Sequence, residues 1–223
     1  MAWSRIGSAD PAAVEQLPEW LLPVAQTAMR TTAEEVTRFV PPHDEGRHSA
    51  VLILFSDDRD ILLIQRASTM RSHAGQPAFP GGAVDLGDAD AVDAALREAQ
   101  EETGLDPAGV LVFGALPDLW VPVTNFVVTP VLGWWREPSP VSAQDPAEVS
   151  SVHRVLIADL VDPANRCRVR HPSGYIGPGF EVHGLLVWGF TAQVLSVLLE
   201  RLGWSRPWDE DRFVDLPVEG TSP

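Results

Sequence analysis

The stretch from Ala91 to Leu105 constrains this chain more than any other. Ala91, Ala94, Ala95 and Ala99 recur at helical spacing, and Gly104 stands where a left-handed C-cap is wanted. Asp88 or Asp90 offers a short side-chain oxygen to an orphan backbone N–H at the helix start. On this predicted helix Glu98, Glu101 and Glu102 fall at i, i+3 and i+4, so three carboxylates share one face. Like charges packed that closely repel, and something positive belongs among them. Two readings fit: a solvated acidic face, or a site for a hard cation. Phe79-Pro80-Gly81-Gly82, a turn where the backbone can approach another group closely, and Arg97, able to orient the carboxylates, support the second. Carboxylates with an added backbone carbonyl suit Mg2+ or Mn2+, ions used to bind phosphates.

Arg97-Glu98-Ala99-Gln100-Glu101-Glu102-Thr103-Gly104-Leu105 resembles the second half of the Nudix box, Gly-x5-Glu-x7-Arg-Glu-U-x-Glu-Glu-x-Gly-U, where U is a bulky apolar residue. Every fixed position from Arg97 to Gly104 is present; Ala99 is a small choice for U, and Leu105 fits. The first half departs from the pattern. Counting back from Arg97, the expected Gly falls on Ala83 and the expected Glu on Ala89, whereas Gly82 and Asp88 keep the Gly-x5-acid spacing with one extra residue before Arg97. Further upstream, Leu62-Leu63-Ile64-Gln65-Arg66-Ala67, then Arg71, Gly75 and Phe79-Pro80-Gly81-Gly82, resemble the motif of the coenzyme A diphosphatase branch, Leu-Leu-Thr-x-Arg-[Ser/Ala]-x3-Arg-x3-Gly-x3-Phe-Pro-Gly-Gly, with Ile64 in place of the Thr.

The resemblance implies an α+β fold of the Nudix type, an α/β/α sandwich with a mixed central sheet and a loop–helix–loop catalytic motif. It implies hydrolysis of the pyrophosphate of coenzyme A or its acyl derivatives to 3′,5′-ADP and 4′-phosphopantetheine. The alternatives are ADP-ribose or nucleoside triphosphates as substrates, or a non-catalytic ligand-binding regulator. Arg97, Glu98, Glu101 and Glu102 would be catalytic: the three glutamates hold Mg2+ or Mn2+ with the Gly82 carbonyl, and Arg97 orients them. Arg66 and Arg71 would bind substrate. Glu148 is the candidate general base from outside the box, its plainer reading being a surface Glu beside a strand.

Composition sets wider bounds. With 223 residues and 45% hydrophobic content the chain can form one well-built core. The net charge is −15 and all 16 basic residues are arginine, so a nucleic-acid partner is not expected. A phosphorylated small molecule is, provided metal ions and a few arginines reverse the local sign. The single Cys167 excludes an internal disulfide framework and fits a reducing cytoplasm. No signal-like start and no apolar run of spanning length occurs, so no membrane partner is expected and a cytoplasmic location is.

Three segments are expected: 1–47 as a helical arm packed on the core or on a second copy in a homodimer, 48–203 as the hydrolase domain, and 204–223 as an irregular tail. Within the arm, a helix runs toward Arg30 and another spans about Thr32 to Phe39, with Thr32 as cap. Strands are predicted at Ser49–Phe55, Ile61–Gln65, Val110–Leu116, Phe126–Trp135 and Val152–Leu156, with a loop over Pro117–Asn125. Trp120 on that loop closes over core residues or stacks on an adenine. Arg166, Arg168 and Arg170 alternate onto one strand face, to receive a terminal phosphate or to pair with Glu181 or an acidic neighbour. Val187–Leu199 reads as a long buried helix ending near Gly203.

Overall fold

The computed structural model describes residues 4, 6–39, 46–69 and 74–216; Arg71 lies outside the described residues. The chain opens with β1 (Ser8–Ala9), α1 (Pro11–Val14), α2 (Leu22–Ala28) and α3 (Ala33–Val36). Then come β2 (Arg47–Ser56), β3 (Asp60–Arg66), β4 (Pro77–Ala78), β5 (Gly81–Ala83) and α4 (Ala91–Thr103). After it lie β6 (Val110–Ala115), β7 (Leu119–Val121), β8 (Phe126–Trp135), β9 (Val149–Leu156) and α5 (Ile157–Leu160). The C-terminal part holds β10 (Arg166–Arg170), β11 (Ile176–Val182), β12 (Leu185–Val187), α6 (Gly189–Arg201) and β13 (Phe213–Asp215).

Among the described residues, the main sheet runs β1-β6-β8-β2-β3-β4, with β5 added to β2, β7 to β8 and β9 to β3. β2 and β8 are parallel from Arg47↔Phe126 to Ser56↔Trp135, and β2–β3, β2–β5 and β6–β8 are antiparallel, so the sheet is mixed. β2 is apolar on both faces because both are covered. Ala50, Leu52 and Leu54 pack with Ala94, Ala95 and Ala99 of α4, while Ile53 and Phe55 share the opposite cluster with Val24 of α2 and Leu195 of α6. The result is an α+β fold with its mixed sheet between two helical layers. A smaller sheet, β12-β11-β10-β13, lies beside it. Leu17, Leu21, Val24, Ala28 and Val36 of the N-terminal part are buried in the same cluster as Phe55, and Gln193 donates to the Val36 carbonyl at 2.9 Å. Among the described residues no helix is long and apolar enough to cross a membrane.

Several elements differ from the sequence expectation. α6 begins at Gly189 rather than Val187, because Leu185–Val187 pair with β11 and Trp188 stays extended (φ −150°). α3 stops at Val36 instead of reaching Phe39; Glu35 accepts the Thr32 N–H at 2.8 Å, closing a single turn. The Pro117–Asn125 loop contains β7, a hairpin partner of β8, and the Trp120 indole donates to Asn125 Oδ1 at 3.1 Å within that hairpin. The tail is not irregular throughout: β13 joins β10 in parallel.

The tail also explains the arginine ladder. Arg166 is 1% exposed, its guanidinium 4.5 Å from the Phe180 ring centroid and 4.9 Å from that of Trp208. Arg168 and Arg170 lie over Phe213 at 5.7 and 3.8 Å. Acidic neighbours pair with two of them as well, Glu200 at 3.9 Å from Arg166 and Asp215 at 3.6 Å from Arg170, while Glu181 is taken by Arg212. Ring faces accept the guanidinium groups, of which only that of Arg166 is buried.

Candidate active site

The site is built on α4 and the glycine turn it faces. Asp90 caps the helix, its Oδ1 accepting the N–H groups of Val92 and Asp93 at 2.8 and 3.0 Å, and Gly104 (φ 72°) ends it. With Ala94, Ala95 and Ala99 wholly buried on the sheet, the adjoining face carries Glu98 and Glu102 against β5. Two glycines make that approach possible. Gly81 has φ 155°, and a Cβ there would stand 2.3 Å from the Ala50 carbonyl oxygen. At Gly82 a Cβ would lie 2.3 Å from Glu98 Oε1, so the bare backbone sits directly on the carboxylate.

Glu102 is 7% exposed, and its Oε2 accepts the Gly81 N–H at 2.9 Å. Burial pushes its carboxyl up to about 7, reinforced by the Glu98 and Glu148 charges and opposed by the Gly81 hydrogen bond and by Arg66. Burial likewise raises Glu98, against the pull of Arg97. Arg66 stands nearby, Nη1 at 4.0 Å from Glu102 Oε1, and its buried Nε has no hydrogen-bond partner. Exposed Glu148 precedes β9 close enough for its charge to act on Glu102.

Arg97 holds the acidic cluster together. Its Nε and Nη2 grip Asp88 at 2.9 and 3.0 Å, Nη2 also donates to the Ala83 carbonyl at 3.0 Å, and Nη1 reaches Glu98 and Glu101 at 3.1 Å each. The guanidinium hydrogen bonds hold the Asp88 carboxyl down at about 2. Asp88, which keeps the spacing from Gly82 but not to Arg97, is thus Arg97's anchor, and Asp90 is the cap. Glu101 is 60% exposed and turned to Arg97.

The structure therefore brings together Glu98, Glu102, Gly81, Gly82, Arg97 and Arg66, with Glu148 at the edge. Among the described residues no three His, Cys, Asp or Glu side chains are grouped as a metal site. The donor set still fits a hard divalent cation: buried Glu102 and half-buried Glu98, both with raised proton affinity, meet a glycine turn that lies directly against them. The contacts of Gly81 with Glu102 and of Asp88 with Arg97 cross the loop, and their signals in the sequence are the double glycine and the Gly82–Asp88 spacing.

Comparison with known proteins bears on this arrangement. The family model of the NUDIX domain matches residues 46–171. The uncharacterized Nudix hydrolase NudL of Salmonella paratyphi B is 42% identical over 164 residues, covering 70% of this chain and 83% of that one. The same protein of Salmonella newport matches equally. Among solved structures, a Francisella tularensis bifunctional NMN adenylyltransferase/ADP ribose pyrophosphatase is 16% identical with a TM-score of 0.48, covering 73% of this chain and 43% of that chain. The M. smegmatis Nudix hydrolase RenU is 20% identical with a TM-score of 0.46, covering 74% and 92%.

Proposed function

The chain belongs to the Nudix family and is a Nudix hydrolase, and on that premise we propose that it cleaves the pyrophosphate of coenzyme A or its acyl derivatives. One observation carries the reading: Arg66 and Gly82, both fixed positions of the coenzyme A diphosphatase motif, converge on the Glu102–Glu98 pair. Ile64, the motif's one departure, is wholly buried in β3. Arg71 remains an expectation of the motif.

Glu98 and Glu102, with the Gly82 backbone and Glu101 beside them, would hold Mg2+ or Mn2+, which would offset phosphate charge and acidify bound water. Arg97 fixes the Glu98 carboxylate and keeps the box loop in place through Asp88 and the Ala83 carbonyl. Arg66, whose guanidinium stands beside Glu102, would donate to the substrate phosphates. Water attacks one phosphorus, its proton passes to Glu148 as general base, and the bridging P–O bond breaks, its oxygen leaving on the departing phosphate. The products are 3′,5′-ADP and (acyl-)4′-phosphopantetheine.

A panel of coenzyme A, dephospho-coenzyme A, ADP-ribose and nucleoside triphosphates, separated by chromatography, tests this. Coenzyme A should be cleaved with Mg2+ or Mn2+ and spared in EDTA. Efficient turnover of ADP-ribose with coenzyme A untouched would replace the substrate assignment. Turnover that survives chelation would sink the mechanism.

A further inference from the structure

The pairing of β3 with β9 changes register beside the site. Gln65 faces Ser151, but Arg66 faces Val149, so Ser150 is the extra residue of a bulge. Bulges bend a strand and re-aim its side chains. The side chain re-aimed here is Arg66, the one whose guanidinium stands by Glu102. Ser150 Oγ pins the bulge from its own strand by donating to the Gln65 carbonyl at 3.1 Å.

A second set of bonds holds it from the Gln65 side chain, which leaves β3 on the face opposite to Arg66. Ser151 Oγ lies 3.1 Å from Gln65 Oε1 and 2.7 Å from His153 Nε2, while Gln65 Nε2 donates to the Gly75 carbonyl at 3.4 Å. A hydroxyl has one proton, so Ser151 can serve only one of its two neighbours. The Gly75 carbonyl demands the amide nitrogen of Gln65, which turns Oε1 toward Ser151 and claims that proton. His153 must then carry its own proton on Nε2 and donate to Ser151 Oγ. The bonds run one way, His153 to Ser151 to Gln65 to Gly75. Ser151 is no activated nucleophile, because its proton points at an amide oxygen and not at an imidazole base.

We infer that Gln65, Ser151 and His153 are positioning residues for Arg66: their hydrogen-bonded chain holds the β3–β9 bulge that aims its guanidinium at the pyrophosphate. The inference rests on the pyrophosphatase reading above. Arg66 alone among the four would touch substrate.

The test is a double-mutant cycle on the panel substrate that wild-type enzyme turns over fastest. Ser151→Ala breaks the chain without adding or removing charge. It should lower kcat/KM by about ten- to a hundredfold, chiefly through KM, with the melting temperature shifted by no more than a few degrees. Ser151→Thr, which keeps the hydroxyl, should recover most of the loss. In an Arg66→Ala background Ser151→Ala should cost less than about twofold, since the group it positions is gone. If that background turns over too slowly, the same cycle is read from the Kd of α,β-methylene-ADP by calorimetry. An equal loss in both backgrounds, or no loss beside an intact Arg66, overturns the inference. A wild-type enzyme that cleaves nothing in the panel would instead be a failure of the pyrophosphatase reading.

Discussion

Gly82 is the glycine that lies against the Glu98 carboxylate. Any side chain there would enter the Glu98 carboxylate at 2.3 Å, so that carboxylate would have to swing away from the turn to make room. Gly87, five residues on in the same loop, has nothing within 4 Å of where its Cβ would be. Gly82→Ala should therefore reduce kcat/KM at least about a hundredfold by displacing Glu98 from the reacting phosphate, a loss on the scale of one misplaced electrostatic group. Gly87→Ala should be close to wild type in the same assay. Equal activity in the two variants would show that Glu98 and the turn do not work together. The contrast also explains why Arg97 has so many partners: with Glu98 pressed on a bare backbone, only a group gripping Asp88, Ala83, Glu98 and Glu101 together keeps loop and helix in register.

At the level of elements, α4 carries the site only because its buried stripe is alanine. Ala94, Ala95 and Ala99 let the helix lie close on β2, and that closeness brings Glu102 within 2.9 Å of the Gly81 N–H. Ala95→Leu should overpack this contact, costing about 1–3 kcal/mol. In a chain of this size that is roughly 3–10 °C in melting temperature. Activity measured well below melting should fall further than the unfolded fraction accounts for, because the carboxylates move with the helix; a loss that merely tracks unfolding would detach packing from catalysis. The same stripe made α4 legible in the sequence: alanines at helical spacing, an Asp cap and a terminal Gly all point to one helix. β2 and β8 were legible because both faces of each are apolar. The start of α6 was not, since Leu185–Val187 are as apolar as the helix they precede and only pairing with β11 makes them a strand. β13 carries no periodic pattern at all; Phe213 is ordered by lying over Arg170, a contact between residues far apart in the chain. In the site, Glu98, Glu102 and Arg66 could be picked out by type and spacing, whereas the bulge at Gln65 could not, because register belongs to a pair of strands.

For the whole molecule, burial makes the Glu102 carboxylate costly to ionise, and the charges of Glu98 and Glu148 add to that cost. Its carboxyl sits at about 7 in the fold against an ordinary value of 4.5. Between those values the unfolded chain has already released a proton that the native state still holds, so native stability falls as pH rises through the interval. The displacement corresponds to roughly 3 kcal/mol at most, complete above about pH 7. Asp88 acts with the opposite sign and elsewhere: held down at about 2, it adds stability above about pH 4 that is lost only as pH falls toward 2. His153, lowered by burial, opposes the Glu102 slope near its own ordinary value, since its proton is lost on folding there. The difference between wild type and Glu102→Gln removes that contribution and isolates Glu102. In EDTA, wild-type melting temperature should decline relative to Glu102→Gln between pH 5 and 8. Mn2+ at a hundred times its Kd should return about 2.7 kcal/mol to the wild type at pH 8, by binding the ionised carboxylate, and distinctly less to the variant. Parallel melting curves for the two proteins in EDTA, with equal recovery in Mn2+, would mean that Glu102 is neither the strained carboxylate nor a ligand of the ion.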